Sequence, residues 1–132
     1  KNAIAALDPY VKAGKFTTFE GDVEVSPGIR AQGGHGHTPG HTTYVIESGG
    51  RKMVAIGDLI HVAAVQFEDP AVTIGFDGDQ KAAASARKKL FDAAAKDGAL
   101  IGGAHLQFPG LGYLRKEGKG YRFIPVNYTQ MR

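Results

Sequence analysis

The chain has 132 residues and a mass of 14.0 kDa, room for one domain or a piece of one. Its 42% hydrophobic and 22% charged fractions exclude a disordered or collagen-like chain, and no apolar run approaches the ~18 residues that a spanning helix needs. The net charge of +3 comes without a run of five like charges, which argues against a nucleic-acid stripe, and the lack of cysteine excludes disulfides, thiolate metal sites and cysteine nucleophiles.

In chain order, Asn2–Ala13 carries Ile4, Leu7 and Val11 at helical spacing, with Pro9 a predicted interruption and Gly14 a stop. Phe16 to Arg30 reads as short strands, with Ser26-Pro27-Gly28 as a turn. Gln32 to Gly40 is a glycine-rich loop. Thr42 to Glu47, rich in β-branched and aromatic residues, is a strand, and Ser48-Gly-Gly50 turns it back along Lys52 to Ile56. Ala71 to Phe76 is a further strand candidate. Asp77 or Asp79 then caps a helix over Gln80–Asp97, with Ala83, Ala86, Leu90 and Ala94 as its apolar stripe and Gly98 as its stop. Arg87, Lys88 and Lys89 on this helix read as a solvated basic face. Ala99 to Ile101 is a short buried strand, and Gly112–Arg115 with Tyr121–Pro125 forms a last hairpin. The pattern predicts an α/β (α+β) fold: a mostly antiparallel, mixed sheet covered by one long helix.

Three glycine-flanked loops next to apolar strands present metal-capable side chains. They are Gly34-His-Gly-His-Thr-Pro-Gly-His41, Gly57-Asp58-Leu-Ile-His61 and Gly103-Ala-His105. Imidazole nitrogen and carboxylate oxygen suit zinc, manganese, cobalt or iron, and a carboxylate can bridge two ions. Taken singly, each residue has a plainer reading. An aspartate after glycine commonly caps or turns, and a loop histidine commonly just hydrogen-bonds. His35 and His37 read as solvent-exposed loop residues. A simple metal-binding loop built on His35, His37 and His41 is a competing reading. His61, Phe76 and Phe108 are candidates to line a substrate pocket, and Phe67 is either wall or core. Tyr44 reads as core.

The ordered set Thr38-Pro-Gly-His41-Thr, Gly57-Asp58 and Gly103-Ala-His105, spaced by 17 and 47 residues, resembles the second half of the metallo-β-lactamase fold. The longer words Gly36-His-Thr-Pro-Gly-His-Thr-Thr-Tyr-Val-Ile-Glu-Ser48, Gly57-Asp-Leu-Ile-His-Val-Ala-Ala-Val-Gln-Phe67 and Ala104-His-Leu-Gln-Phe-Pro-Gly-Leu-Gly112 are similar to the methyl parathion hydrolase group, near the lactonases. The resemblance implies a four-layer αββα sandwich with two metal ions at one sheet edge. It implies that His41 binds the first metal, Asp58 bridges both and His105 binds the second. It also implies a metal-held hydroxide that attacks ester, lactone or organophosphate substrates. Thioester hydrolysis and RNA processing are superfamily alternatives.

The family's His-x-His-x-Asp-His signature is absent from the sequence. The chain, which opens Lys-Asn-Ala-Ile, is therefore expected to be the C-terminal half of such a domain, residues 1–132, inactive by itself. Expected partners are the missing N-terminal half or a second copy of the chain, and a small-molecule substrate, with no nucleic acid and no membrane. Two divalent ions, zinc foremost, are the expected cofactors of the complete enzyme. A metal-free, self-associating structural half-domain is the alternative. The compartment stays open between cytoplasm and periplasm or secretion.

Overall fold

The computed structural model describes residues 2–128. The chain forms α1 (Asn2–Lys12), β1 (Val23–Ser26), β2 (Ile29–Gly33), β3 (Thr42–Ser48), β4 (Arg51–Gly57), α2 (Ala63–Gln66), α3 (Gln80–Asp97), β5 (Leu100–Gly103), β6 (Leu111–Glu117) and β7 (Gly120–Pro125). The seven strands make one sheet in sequence order. Every pairing is antiparallel except β4 with β5, which run parallel because α3 carries the chain back across the sheet. This is the mixed sheet with one long covering helix that the sequence pattern predicts.

The period of two sorts the strand residues onto two faces. Val54, Ile56, Ile101 and Leu114 face α3 and join Leu59, Ile60, Phe67, Phe91, Ala94 and Tyr121 in the core. Phe91 is wholly buried, with the rings of Phe67 and Tyr121 centred 5.1 and 5.4 Å away. Burying a side chain of this size contributes roughly 1.5–3 kcal/mol. The opposite face carries a row in register across five strands, Ile46, Met53, Leu100, Tyr113 and Ile124. Tyr113 and Ile124 on this row, and Tyr44 beside it, are exposed. Tyr44 is thus not core: it points away from α3.

Asp79 caps α3, accepting the Ala82 N–H at 2.9 Å, and Gly98 ends the helix in the left-handed conformation. The buried stripe is Ala83, Arg87, Phe91 and Ala94, with Ala86 and Leu90 packed at its border. Arg87 therefore leaves the solvated basic face expected for it. Its guanidinium is fully buried and bonded to the carbonyls of Leu59 (2.7 Å), Pro70 (2.8 Å) and Val72 (2.8 Å). The same bonds explain why the expected strand at Ala71–Phe76 is absent. The carbonyl of Val72, like that of Pro70 just before the stretch, turns inward to the guanidinium and not sideways to a neighbouring strand, and the segment is irregular. Pro9 lies inside α1 without ending it, and the short α2 has no counterpart in the sequence reading. No helix among the described residues is long and apolar enough to cross a membrane.

Candidate metal centre

The parallel pair β4–β5 builds the site. Its strands end in step, Gly57 opposite Gly103, so the loops that leave them emerge side by side. Asp58 follows one and His105 the other. This is the carboxyl edge of parallel strands, where open sheets place their ligands. β3 runs antiparallel to β4, so its start, just after His41, lies at the same edge. Gly57 is required here. Its φ is +53°, and a Cβ would stand 3.0 Å from His41 Nε2.

Four histidines converge on Asp58. His105 Nε2 lies 3.5 Å from Asp58 Oδ1, and His37 Nε2 lies 3.6 Å from Oδ2. His41 Nε2 receives the Asp58 backbone N–H at 3.2 Å. His61 stacks on His105 with ring centres 4.4 Å apart and lies 4.8 Å from the His37 ring. One ligand atom each from His37, Asp58 and His61 falls within 4.8 Å of the others.

The hydrogen bonds fix which nitrogens are available. Gly34 carbonyl can only accept, so His41 Nδ1, 3.0 Å away, donates its proton and turns the Nε2 lone pair to the site, where it accepts the Asp58 backbone N–H. Among the described residues, His61 Nδ1 is buried with no hydrogen-bond partner. A buried nitrogen without a partner costs free energy that a bound cation would remove. Burial holds the His41 imidazole below its ordinary pKa, against the Gly34 bond. It does the same to His61, reinforced by His105 and His37. Both histidines are thereby kept in the neutral form that a metal requires. The carboxylate and the neutral imidazoles are a donor set that fits a divalent ion.

The sequence-predicted residues do not all meet. His41, Asp58, His61 and His105 come together. Phe76 and Phe108 are each 81% exposed and belong to no core cluster, whereas Phe67 is core. His35 is exposed, as expected, but His37 is not: its side chain is only 13% exposed and held by Asp77 Oδ1 at 3.1 Å. His37, named in the sequence only for a competing loop site with His35 and His41, is thus paired with Asp77, which the sequence offers only as a candidate helix cap. They lie 40 residues apart, and no local pattern links them. A cleft of about 420 Å³ between α3 and β1–β4 is lined by no histidine and not by Asp58.

Comparison with known proteins bears on the family and the fold. The family described as the metallo-beta-lactamase superfamily matches residues 3–105. The crystal structure of the hydrolase AbOPH, of the beta lactamase superfamily, is 35% identical with a TM-score of 0.88 over 94% of this chain and 43% of its own. AidC, described as a dizinc quorum-quenching lactonase, is 32% identical with a TM-score of 0.81 over the same shares, 94% and 43%. An N-acyl homoserine lactonase of Bacillus cereus is 30% identical over 86 residues, 65% of this chain and 34% of that protein. The chain thus spans between a third and a half of the length of these relatives.

Proposed function

This chain belongs to the metallo-beta-lactamase superfamily, and on that footing we propose that it is the C-terminal half, residues 1–132, of a dinuclear metal-dependent hydrolase of lactone, ester or organophosphate substrates. The observation that carries this reading is the convergence of four histidines on Asp58 at the ends of parallel strands. His41, Asp58 and His105 would hold two divalent ions, zinc foremost, together with donors from a His-x-His-x-Asp-His segment outside this chain. Such ions supply a water nucleophile at neutral pH and positive charge for the oxyanion that develops in hydrolysis.

The chain's own residues have distinct tasks. Asp58 offers Oδ1 on the His105 side and Oδ2 on the His37 side, the arrangement a bridging carboxylate needs. The Gly34 carbonyl fixes the His41 ring and its tautomer. His61, stacked on His105, walls the reacting group, and Phe76 and Phe108 supply an apolar surface for the substrate once the rest of the domain closes over them. The bare sheet face with Tyr44, Tyr113 and Ile124 supports the N-terminal half as the chain's partner. The lactonases among its relatives favour the lactone within the substrate class.

The test is hydrolysis by the full-length protein of an N-acyl homoserine lactone, an aryl ester and a phosphotriester. Activity on at least one substrate is expected, falling by about 100-fold or more on metal chelation and in Asp58→Asn. Activity indifferent to both would refute the reading. The same bare face favours a second reading, a metal-free half-domain that pairs with its own copy. Equilibrium sedimentation of the 132-residue chain separates the two: a metal-free dimer supports the second, and assembly only with the other half supports the first.

A further inference from the structure

Behind the site lies a chain of buried polar groups. Arg87 and Asp77 have side chains with no exposed surface. Arg87 gives Nε to Leu59 carbonyl, Nη1 to the carbonyls of Pro70 and Val72, and Nη2 to Asp77 Oδ2 at 3.4 Å. Asp77 Oδ2 also accepts the Ile74 N–H at 3.3 Å. Oδ2 therefore faces two donors, and Oδ1 is left for His37. Backbone bonds clasp the two loops together: Gly78 N–H donates to His37 carbonyl at 3.1 Å and Asp79 N–H to Gly36 carbonyl at 2.8 Å. The His37 ring is thus held from its backbone and from its inner nitrogen.

A carboxylate fixed by a guanidinium can only accept, so the proton between Asp77 Oδ1 and His37 sits on Nδ1. With that single ring proton, the outer nitrogen, Nε2, presents a lone pair to Asp58 Oδ2 across 3.6 Å. Two acceptors facing each other at that distance repel unless a cation lies between or beside them.

Resting on the metal-centre reading above, we propose that Asp77 and Arg87 are positioning residues that lock His37 with its proton on Nδ1, making Nε2 an additional metal-facing nitrogen beside Asp58. Asp77 touches neither substrate nor metal. It acts through the tautomer and direction of the His37 ring, as outer-shell carboxylates do for ligating histidines. Arg87 acts one step further back, by holding Asp77 Oδ2.

Asp77→Asn tests this with almost no change of shape. Arg87 Nη2 and the Ile74 N–H both need an oxygen, so the amide oxygen takes the Oδ2 position. The amide NH₂ then falls on the His37 side. There it donates, and Nδ1 must become the acceptor, moving the ring proton to Nε2 and masking the lone pair. Long-range ¹H–¹⁵N correlation spectra of histidine-labelled, metal-free full-length protein should show His37 as the Nδ1–H tautomer in the wild type and as the Nε2–H tautomer in the variant. Zinc affinity, read by chelator competition, should fall about 10–100-fold in the variant. A wild-type His37 that is doubly protonated or carries its proton on Nε2 overturns the proposal. So does an unchanged tautomer or an unchanged zinc affinity in the variant. If Asp77→Asn does not fold, the wild-type tautomer alone decides. If the wild type binds no zinc at all, the metal-centre reading fails, while the tautomer spectra still decide the Arg87–Asp77–His37 arrangement.

Discussion

Gly36 is where one methyl group should do the most harm to the site. Its φ is +134°, a conformation that side chains rarely adopt, and a Cβ built on it would lie 2.1 Å from Ala83 N and 2.5 Å from Ala83 Cα. These atoms belong to the backbone of α3, so no flexible side chain can swing away. In Gly36→Ala either the loop leaves the helix or the helix shifts. The backbone strain costs about 1–3 kcal/mol, and the forced displacement of packed groups costs another ~1–3 kcal/mol. Together they predict a loss of about 2–6 kcal/mol of folding stability. The loop that moves also carries His37, and its clasp to Gly78 and Asp79 would part with it. Gly40→Ala is the control in the same loop. It has nothing within 4 Å of its virtual Cβ and no positive φ, so its effect should stay within about 0.5 kcal/mol. Urea unfolding of wild type and both variants, compared at equal m-values, is the assay. A Gly36→Ala variant within 0.5 kcal/mol of wild type would refute the reasoning, because a backbone overlap of this size cannot be absorbed silently.

Two further outcomes follow from the core and from the surface of α3. Phe91→Ala should lower stability by about 3–5 kcal/mol, since the ring is wholly buried against Phe67 and Tyr121 and leaves a cavity that two large rings cannot collapse into; denaturant midpoints measure it. Asp92 ties α3 to the β6–β7 hairpin through Lys116 (3.0 Å) and the Tyr121 hydroxyl, and pairs with Lys88 (2.7 Å) one turn back on the same helix. Those bonds, Lys88 first, hold its carboxyl far below the usual carboxylate range. The folded state therefore binds this proton less readily than the unfolded state. The stabilisation is fully present above the unfolded carboxylate value of about 4 and is lost as the pH falls below it. Thermal melts from pH 7 to pH 2 should show a shallower acid decline in Asp92→Asn than in wild type, and parallel declines would contradict the assignment.

The strands and α3 are legible in the sequence because their signals are local. Thr42 to Glu47 is rich in β-branched and aromatic residues and ends in Ser-Gly-Gly; Asp79 and Gly98 bracket a helix with a cap at one end and a left-handed stop at the other. His41, Asp58 and His105 are legible as an ordered set, since each follows or precedes an apolar strand next to glycine. What local pattern cannot reveal is a polar side chain turned inward. Arg87 reads as one of three basic residues on a wet face, yet its donors are consumed by carbonyls from segments 15 to 28 residues away. That shifts the buried stripe of α3 from Leu90 onto Arg87 and Phe91, and it turns Ala71–Phe76 from a strand into a scaffold for the guanidinium. The pairing of His37 with Asp77 was hidden for the same reason. Only the fold brings Asp77 to it, and a histidine between two glycine-flanked turns otherwise reads as solvated.

The central claim is that the cluster around Asp58 holds metal. Its most direct test is the divalent-metal content of the dialysed full-length protein, wild type against Asp58→Asn, by elemental analysis of folded samples. The account predicts two metal ions per wild-type protein and the loss of at least one in Asp58→Asn. Equal metal content in the two proteins, or none in the wild type, would contradict it.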